Sequence, residues 1–393
     1  MRICSMKDLQ PGMELGKSLY DMNGRLLLRA GFALDHEVLR RLAETGHSAV
    51  YIMEEGTDEI IPEDVISEEI RSRAVQALSN TLQQVEDAAA YRTDIPPDKM
   101  QVVVQRAAEY KNVVNVERVS TEITSIVDEI LDSSAQILDQ TLIKSNVGYS
   151  TEHALDTTLI ALLIGRRLLY SRRDLLELGT GAFLHDIGKL PLHGLRDKKP
   201  DEYTEADRIA MHEHPALGKQ LLANSTDRLF LAQAAIHHHH ERQDGMGYPL
   251  GLIGQNAKPY LNGHDARKFI FPFAEIIAVA NEYDNYIAGR HGPRLSPEQA
   301  LREIAKGSKT IFNSEVVALL AETICIFPTG SMVRITDCSN RFLVGSEGVI
   351  MKPKMDRPHH PLLVLMKNQK GQKITPKTVD LSAEKSARIE LLL

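Results

Sequence analysis

Tryptophan is absent from the 393 residues, and aromatic side chains make up only 5% of them. The core must therefore be packed mainly with aliphatic groups. Cysteine is scarce too. Cys4, Cys325 and Cys338 are odd in number and far apart, which excludes a CxxC pair and a disulfide framework and points to a reducing compartment. No segment approaches the roughly 18 uninterrupted apolar residues of a membrane span; the best run, LLIGRRLLY, carries Arg166 and Arg167. The first residues lack a basic stretch followed by an apolar run, so no signal peptide is expected and a cytoplasmic location is. An excess of basic charge is missing as well. The net charge of −7 argues against DNA or a generic polyanion as partner, while leaving room for a small phosphorylated ligand. What is present is an ordinary globular balance, 43% hydrophobic and 25% charged, long enough for two or three domains. An enzyme or a signalling role is the broad default.

The charge has a local origin. Glu54, Glu55, Asp58, Glu59, Glu63, Asp64, Glu68 and Glu69 fall between Met53 and Ile70 with no basic residue among them, and the rest of the chain is nearly neutral. Four regions follow from the text. Residues 1–55 read as a small α+β unit. Asn23-Gly24 between SLYDM and RLLL is a hairpin signal, Asp35 caps a helix HEVLRRLAE ended by Gly46, and AVYI closes as a strand. Residues 56–140 form a helical connector, with VQALSNTLQQVEDAA and TEITSIVDEILDSSAQIL showing apolar residues at helical spacing around a TDIPPD break. Two readings of it stand, a dimerising connector and a packed helical hairpin. Residues 141–324 are helix-rich and hold most of the 15 histidines. From 325 to 393, SMVRITD, EGVIMK and PLLVLMK read as strands of a β-rich appendage. Its basic surface either meets the acidic segment or is solvated, and solvation is favoured.

The chemistry concentrates in the third region. FLHDIGKLP places His185 beside Asp186, with Lys189 about one helical turn on. An imidazole offers one lone pair to one ion, whereas a carboxylate has two oxygens and bridges two. An adjacent His-Asp pair therefore suits a dinuclear site, and Lys189 is placed to neutralise a phosphate oxygen. His153 opens an apolar helix 32 residues before His185, and His214 lies 29 residues after it. His237, His238, His239 and His240 end another apolar helix. Successive helical residues point about 100° apart, so at most two of these four share an inward face. Any one of these histidines alone reads as structural. Several on apolar elements of one helical domain read as ligands.

Residues 141–324 resemble the HD-GYP domain, a bacterial branch of the HD phosphohydrolase superfamily. The likeness rests on HDIGK at 185–189, HPALG at 214–218, HHERQDGMGYP at 239–249 and the helix AVANEYDNYIAGR ending at Arg290. It covers a little under half of the chain. It implies a mainly α protein, whose all-helical HD-type domain is flanked by the smaller units above, and hydrolysis of the second messenger cyclic di-GMP at two divalent ions, iron or manganese. Carried over by position, His153, His185, Asp186, His214, His239, His240 and Asn281 are the metal ligands, with Asp186 bridging. Lys189 holds the scissile phosphate, so Asp186 and Lys189 are the catalytic pair. Gly245, Gly247, Tyr248 and Pro249 shape the nucleotide side of the pocket, Tyr248 stacking on or edging a guanine, and Arg290 matches a position near phosphate or base. A metal-bridging hydroxide attacking phosphorus in line is the mechanism that follows. A homodimer through the connector and protein partners at the GYP loop are the further partner expectations.

Two departures from the family pattern matter. Tyr149 stands where some members carry a glutamate for a third metal, so at most two ions are expected. Asn281 in VANEYD replaces a ligand aspartate; an amide oxygen coordinates a hard ion but brings no charge. Asp284, one turn further, either compensates or supports a ligand from behind, and the second role is favoured. The 41 residues from His240 to Asn281 include about a dozen more than usual. This insertion, 255–272, is expected as a loop over the pocket, with His264 or Asp265 as replacement ligands. Two main functions remain: a working cyclic di-GMP phosphodiesterase, and a degenerate domain that binds the nucleotide or a protein without turnover; a third, a phosphohydrolase of another nucleotide, is disfavoured by the GYP loop. Seven of eight core positions are intact, which favours the enzyme.

Overall fold

The computed structural model describes residues 1–21, 25–44, 47–90, 114–133, 138–139, 149–192, 195, 198, 202–223, 229–262, 264–265, 267–290 and 292–392. The expected turns at Asn23-Gly24 and Gly46 and the TDIPPD break lie outside these residues, as does the side chain of Tyr149.

The chain opens with strands β1 (Arg2–Ser5), β2 (Glu14–Leu15), β3 (Leu19–Tyr20) and β4 (Leu26–Leu28), helix α1 (His36–Glu44) and strand β5 (Ala49–Met53). The order β1-β5-β2 makes a three-stranded antiparallel sheet, and β3 pairs with β4. Helix α1 spans the expected residues, and the Asp35 carboxylate accepts from the Val38 amide at 2.8 Å. Cys4, Leu15, Leu34, Leu42 and Ile52 fill this unit's core.

Helices α2 (Glu68–Ala90) and α3 (Val116–Asp132) follow. They pack against each other, and α3 also lies against the central helices. Their apolar stripes, including Leu78, Val119, Ile123, Ile126 and Ile130, are buried within this one chain, in the same core as the central helices.

The central helices are α4 (Tyr149–Arg167), α5 (Arg172–Phe183), α6 (Glu205–Met211), α7 (His214–Ala223), α8 (Phe230–His238), α9 (Pro272–Ala288), α10 (Pro297–Lys306) and α11 (Ser314–Thr323). Helix α4 is buried almost all round, which is why its sequence is apolar on every side. It packs on α5, α9 and α11; α5 and α7 both lie against α8. Capping boxes start α6 at Thr204 and α10 at Ser296.

The chain closes with β6 (Met332–Cys338), β7 (Glu347–Lys352), β8 (Leu362–Lys367), β9 (Lys373–Asp380) and β10 (Ala387–Leu391), one antiparallel sheet in the order β10-β6-β7-β8-β9. The two outer strands were not anticipated. Strand β9 is a polar edge, KITPKTVD, with no buried residue, and β10 holds only five residues on the opposite edge. The acidic segment meets this sheet by apolar packing: Ile60 is buried against Val349 and Val364. Among the described residues its ion pairs run instead to the first 55 residues and to α2: Glu54 to Arg2, Asp64 to Lys17 and Glu69 to Arg73.

The molecule is thus mainly helical, with small sheets at either end of the chain. Among the described residues, no helix is long and apolar enough to cross a membrane.

Candidate metal centre

Helix α5 stops at Phe183, and Leu184 caps it with φ −113°. His185 and Asp186 therefore sit in the turn before a short 3-10 segment (Ile187–Lys189), not on a helix as the apolar run had suggested. Gly188 makes this turn fit. A Cβ there would lie 1.9 Å from the His214 carbonyl oxygen and 2.5 Å from the Gly218 nitrogen, so only glycine lets the turn close onto the start of α7. That approach brings His185 and Asp186 up to His214. Helix α8 ends at His238, His239 follows as its C-cap, and His240 continues the turn.

Six side chains converge. His153, His185 and Asp186 form one group of ligand atoms, and Asp186, His214, His239 and His240 form another, each group lying within 4.8 Å. Asp186 belongs to both. Its Oδ2 lies 3.4 Å from His185 Nε2 and 4.0 Å from His153 Nε2. Its Oδ1 lies 3.4 Å from His214 Nε2 and 3.8 Å from His239 Nε2. Each carboxylate oxygen thus faces a different pair of imidazoles.

The backbone orients the rings. His185 Nδ1–H donates to Ala182, His214 Nδ1–H to Met211 (both 2.7 Å) and His239 Nδ1–H to Ile236 (2.6 Å). A carbonyl only accepts, so Nε2 of each neutral ring carries the lone pair and aims it inward. His153 Nδ1 donates to Asp284 Oδ2 at 2.7 Å, with both side chains 3% exposed. Asp284 therefore lies behind His153 rather than beside the inward lone pairs.

Electrostatics match this tautomer set. Burial holds the pKa of His153 and His214 below the ordinary value, that of His239 at about 3 and that of His240 well below normal. Burial would raise Asp186, but positive charge beside it, Lys189 included, outweighs burial and keeps the carboxyl well below its usual range. Lys189 Nζ sits 2.6 Å from Asp186 Oδ2.

The residues fit divalent ions. His214 Nε2 and His239 Nε2 are 3.2 Å apart, and two lone pairs facing at that distance repel unless a cation relieves them. Among the described residues, buried His185 Nε2, Asp186 Oδ1 and His240 Nε2 have no hydrogen-bond partner, a costly arrangement for a purely structural cluster. Imidazole and carboxylate donors suit iron, manganese or zinc.

The remaining sequence-derived residues fall as follows. Asn281 is buried on α9, and its Oδ1 accepts from Asn285 Nδ2 at 2.9 Å. His237 and His238 are outside the cluster; His238 Nδ1 accepts from the Phe271 amide at 3.3 Å. His264 and Asp265, expected as replacement ligands, are in neither group: His264 lies against the Phe271 ring and Asp265 Oδ1 accepts from the Arg267 amide. The inserted loop is tied down by a polar network. Gln243 accepts from the Asn256 amide and donates to Glu275 at 2.6 Å, Asn313 donates to Glu275 and to the Ala257 carbonyl, and the Tyr170 hydroxyl donates to the Pro259 carbonyl.

In the GYP segment, Gly245 has φ +74°, and a Cβ on Gly247 would lie 2.4 Å from the Arg242 nitrogen. Both positions require glycine. Tyr248 does not have a free face for a guanine, as one expectation held. Its ring is stacked on His240 (4.7 Å, 15°) on one side and His212 (3.9 Å, 12°) on the other. Pro249 is exposed at the end of the segment. Arg290 donates to the Lys198 carbonyl at 3.2 Å and lies beside Tyr203, whose hydroxyl also feels Asp186. His212, Tyr203 and the Gln243–Glu275–Asn313 network were missed from sequence; all are contacts between distant segments.

Residues 136–316 match the family model described as HD domain. Over 217 residues the chain is 26% identical to "Cyclic di-GMP phosphodiesterase PA4108" of Pseudomonas aeruginosa, covering 54% of this chain and 49% of that protein. It is 34% identical over 132 residues to "Cyclic di-GMP phosphodiesterase response regulator RpfG" of Xanthomonas campestris pv. campestris, covering 33% and 32%. It is 30% identical over 181 residues to "3'3'-cGAMP-specific phosphodiesterase 3" of Vibrio cholerae, covering 46% and 36%. The matching segments span about half the length of these relatives, or less.

Proposed function

We propose that the central region, which the HD domain model matches over residues 136–316, works as an HD domain and that the protein hydrolyses a phosphodiester bond of cyclic di-GMP. The carrying observation is the division of Asp186, whose two oxygens face different imidazoles. His153 and His185 with Asp186 would hold one divalent ion, and His214, His239 and His240 with Asp186 the other. Iron or manganese is the expected occupant. Divalent ions held there acidify water and neutralise charge developing on phosphoryl oxygens.

The chain's own groups supply the rest. Lys189, at Asp186 Oδ2, carries the charge that would hold a phosphate oxygen beside the ions. Arg290 and the Tyr203 hydroxyl form a second polar pair on the nucleotide side. The phenol of Tyr248 offers its hydroxyl edge. Met246, 76% exposed in the same segment, is the surface that a protein partner would read.

One observation favours a second reading, binding without turnover. Asn281 brings no charge, and its oxygen is already engaged by Asn285. The two readings separate in one experiment on anaerobically purified protein: metal content, and hydrolysis of cyclic di-GMP and 3'3'-cGAMP by the same sample. Turnover with two bound ions is the expected result; binding of either nucleotide without turnover at any metal level establishes the second reading. His185→Ala combined with Asp186→Ala should strip the metal while leaving the helical circular dichroism intact. Full metal stoichiometry in that variant would overturn the site.

A further inference from the structure

The GYP tyrosine is held from outside the histidine cluster as well as from within. Its backbone amide donates to the His240 carbonyl at 3.2 Å, and its ring lies parallel to His240. His240 in turn abuts His214 (4.9 Å, 85°) and His239 (4.3 Å, 47°). The other face of the phenol is covered by His212, the C-cap of α6, at 3.9 Å and 12°. Imidazole, phenol and imidazole thus form one column whose inner end is a candidate ligand. Its outer end is an exposed side chain.

An aromatic ring at an exposed helix terminus has no packing duty in the core. What His212 does contact is the outer face of Tyr248, the face a guanine would otherwise need for stacking. With both faces covered, only the ring edge and hydroxyl are left for ligand.

We propose that His212 is a positioning residue for the nucleotide: it clamps Tyr248 against His240, so that the phenol meets the ligand by its hydroxyl edge. This rests on the phosphodiesterase reading for its substrate, but not for its geometry. Aromatic pairs of this kind stabilise by an amount equivalent to about two- to twelve-fold in affinity.

The test compares His212→Ala, His212→Phe, Tyr248→Ala and the double variant His212→Ala with Tyr248→Ala. KM, kcat and metal content are measured with cyclic di-GMP as substrate. The His212→Ala protein should show KM raised about two- to twelve-fold, kcat within two-fold and unchanged metal. His212→Phe, which keeps a stacking ring, should restore KM and also controls for folding. Tyr248→Ala should mask the His212 effect, so the double variant should be no worse than Tyr248→Ala alone. An unchanged KM in His212→Ala, no rescue by Phe, or fully additive losses would overturn the inference. If the unaltered protein shows no turnover, the phosphodiesterase reading has failed, and calorimetric Kd for cyclic di-GMP then tests the clamp with the same expected ratios. Absence of binding as well would sink both.

Discussion

Asp284 is the residue through which the candidate centre can be tested most finely. Its Oδ2 accepts from His153 Nδ1 at 2.7 Å, with both side chains buried. A hydrogen bond to an ionised group contributes about 1.5–3 kcal/mol, equivalent to roughly ten- to 150-fold in an equilibrium constant. Outer partners of metal-ligating histidines have a comparable effect, about ten- to 100-fold in metal affinity. Asp284→Ala should therefore weaken one ion by about ten- to 100-fold, through loss of ring orientation and imidazole basicity. Asp284→Asn should fall between, because an amide oxygen still accepts from Nδ1 but brings no charge. The loss should be selective, since His153 groups with His185 and Asp186 while His214, His239 and His240 form the other set. Titrating manganese into metal-free protein against a chromogenic chelator resolves the two ions. Two tight ions in Asp284→Ala, with affinities within two-fold of the unaltered protein, would refute the assignment.

Two further outcomes are expected. Asn281→Asp keeps the acceptor that Asn285 uses and adds charge one turn before Asp284; activity should rise at limiting metal and change little at saturation, and a metal titration of rate showing no leftward shift would place residue 281 outside the centre. Glu275 gives a pH-dependent expectation. Burial pushes its carboxyl from 4.5 to about 7, against the lowering hydrogen bonds from Gln243 and Asn313. The folded state thus holds this proton to higher pH than the unfolded chain, so its contribution is fully present below pH 4.5 and is lost as pH rises through 7. Glu275→Gln has no such loss, and its stability relative to the unaltered protein should improve by up to about 3 kcal/mol between pH 5 and 8. With no tryptophan in the chain, urea unfolding is best followed by far-ultraviolet circular dichroism; a pH-independent difference between the two proteins would refute the shift.

The candidate ligands were legible because they come in short strings. HDIGK, HPALG and HHERQDGMGYP each put their donors within a few residues, so recognising the string places the side chain. Element ends were less so. The apolar run through Phe183 and Leu184 continues into His185 with no breaker, and only the three-dimensional demand that Gly188 touch His214 shows that the helix has already stopped. Strand β9 lacked the alternation that revealed its neighbours, because an edge strand with KITPKTVD buries nothing. Long-range polar contacts were invisible: Gln243 and Asn313 lie 32 and 38 residues from Glu275, and His212 lies far along the chain from the ring it covers. Sequence position alone left Asp284 open between coordinating an ion and supporting a histidine, since it lies one turn past Asn281; its contact with His153 Nδ1 is a three-dimensional fact.

The packing of the chain's first and last segments bears on any attempt to dissect the protein by deletion. The Ile3 amide donates to the Gly330 carbonyl at 2.7 Å, Tyr51 reaches the Thr329 carbonyl, and Gly56 sits where a Cβ would run into the Pro376 ring. Ile60 is wholly buried against the sheet of the far segment. A chain cut after Ile324 would therefore bare Ile60 and the wall around Tyr51. Uncovering one such side chain costs about 1.5–3 kcal/mol and leaves an adhesive surface. Loss of activity in such a fragment would report damage to the other flank as readily as a role for the missing strands. The two flanks, drawn from opposite ends of the sequence, cover part of each other's surface, so removing one alters the other.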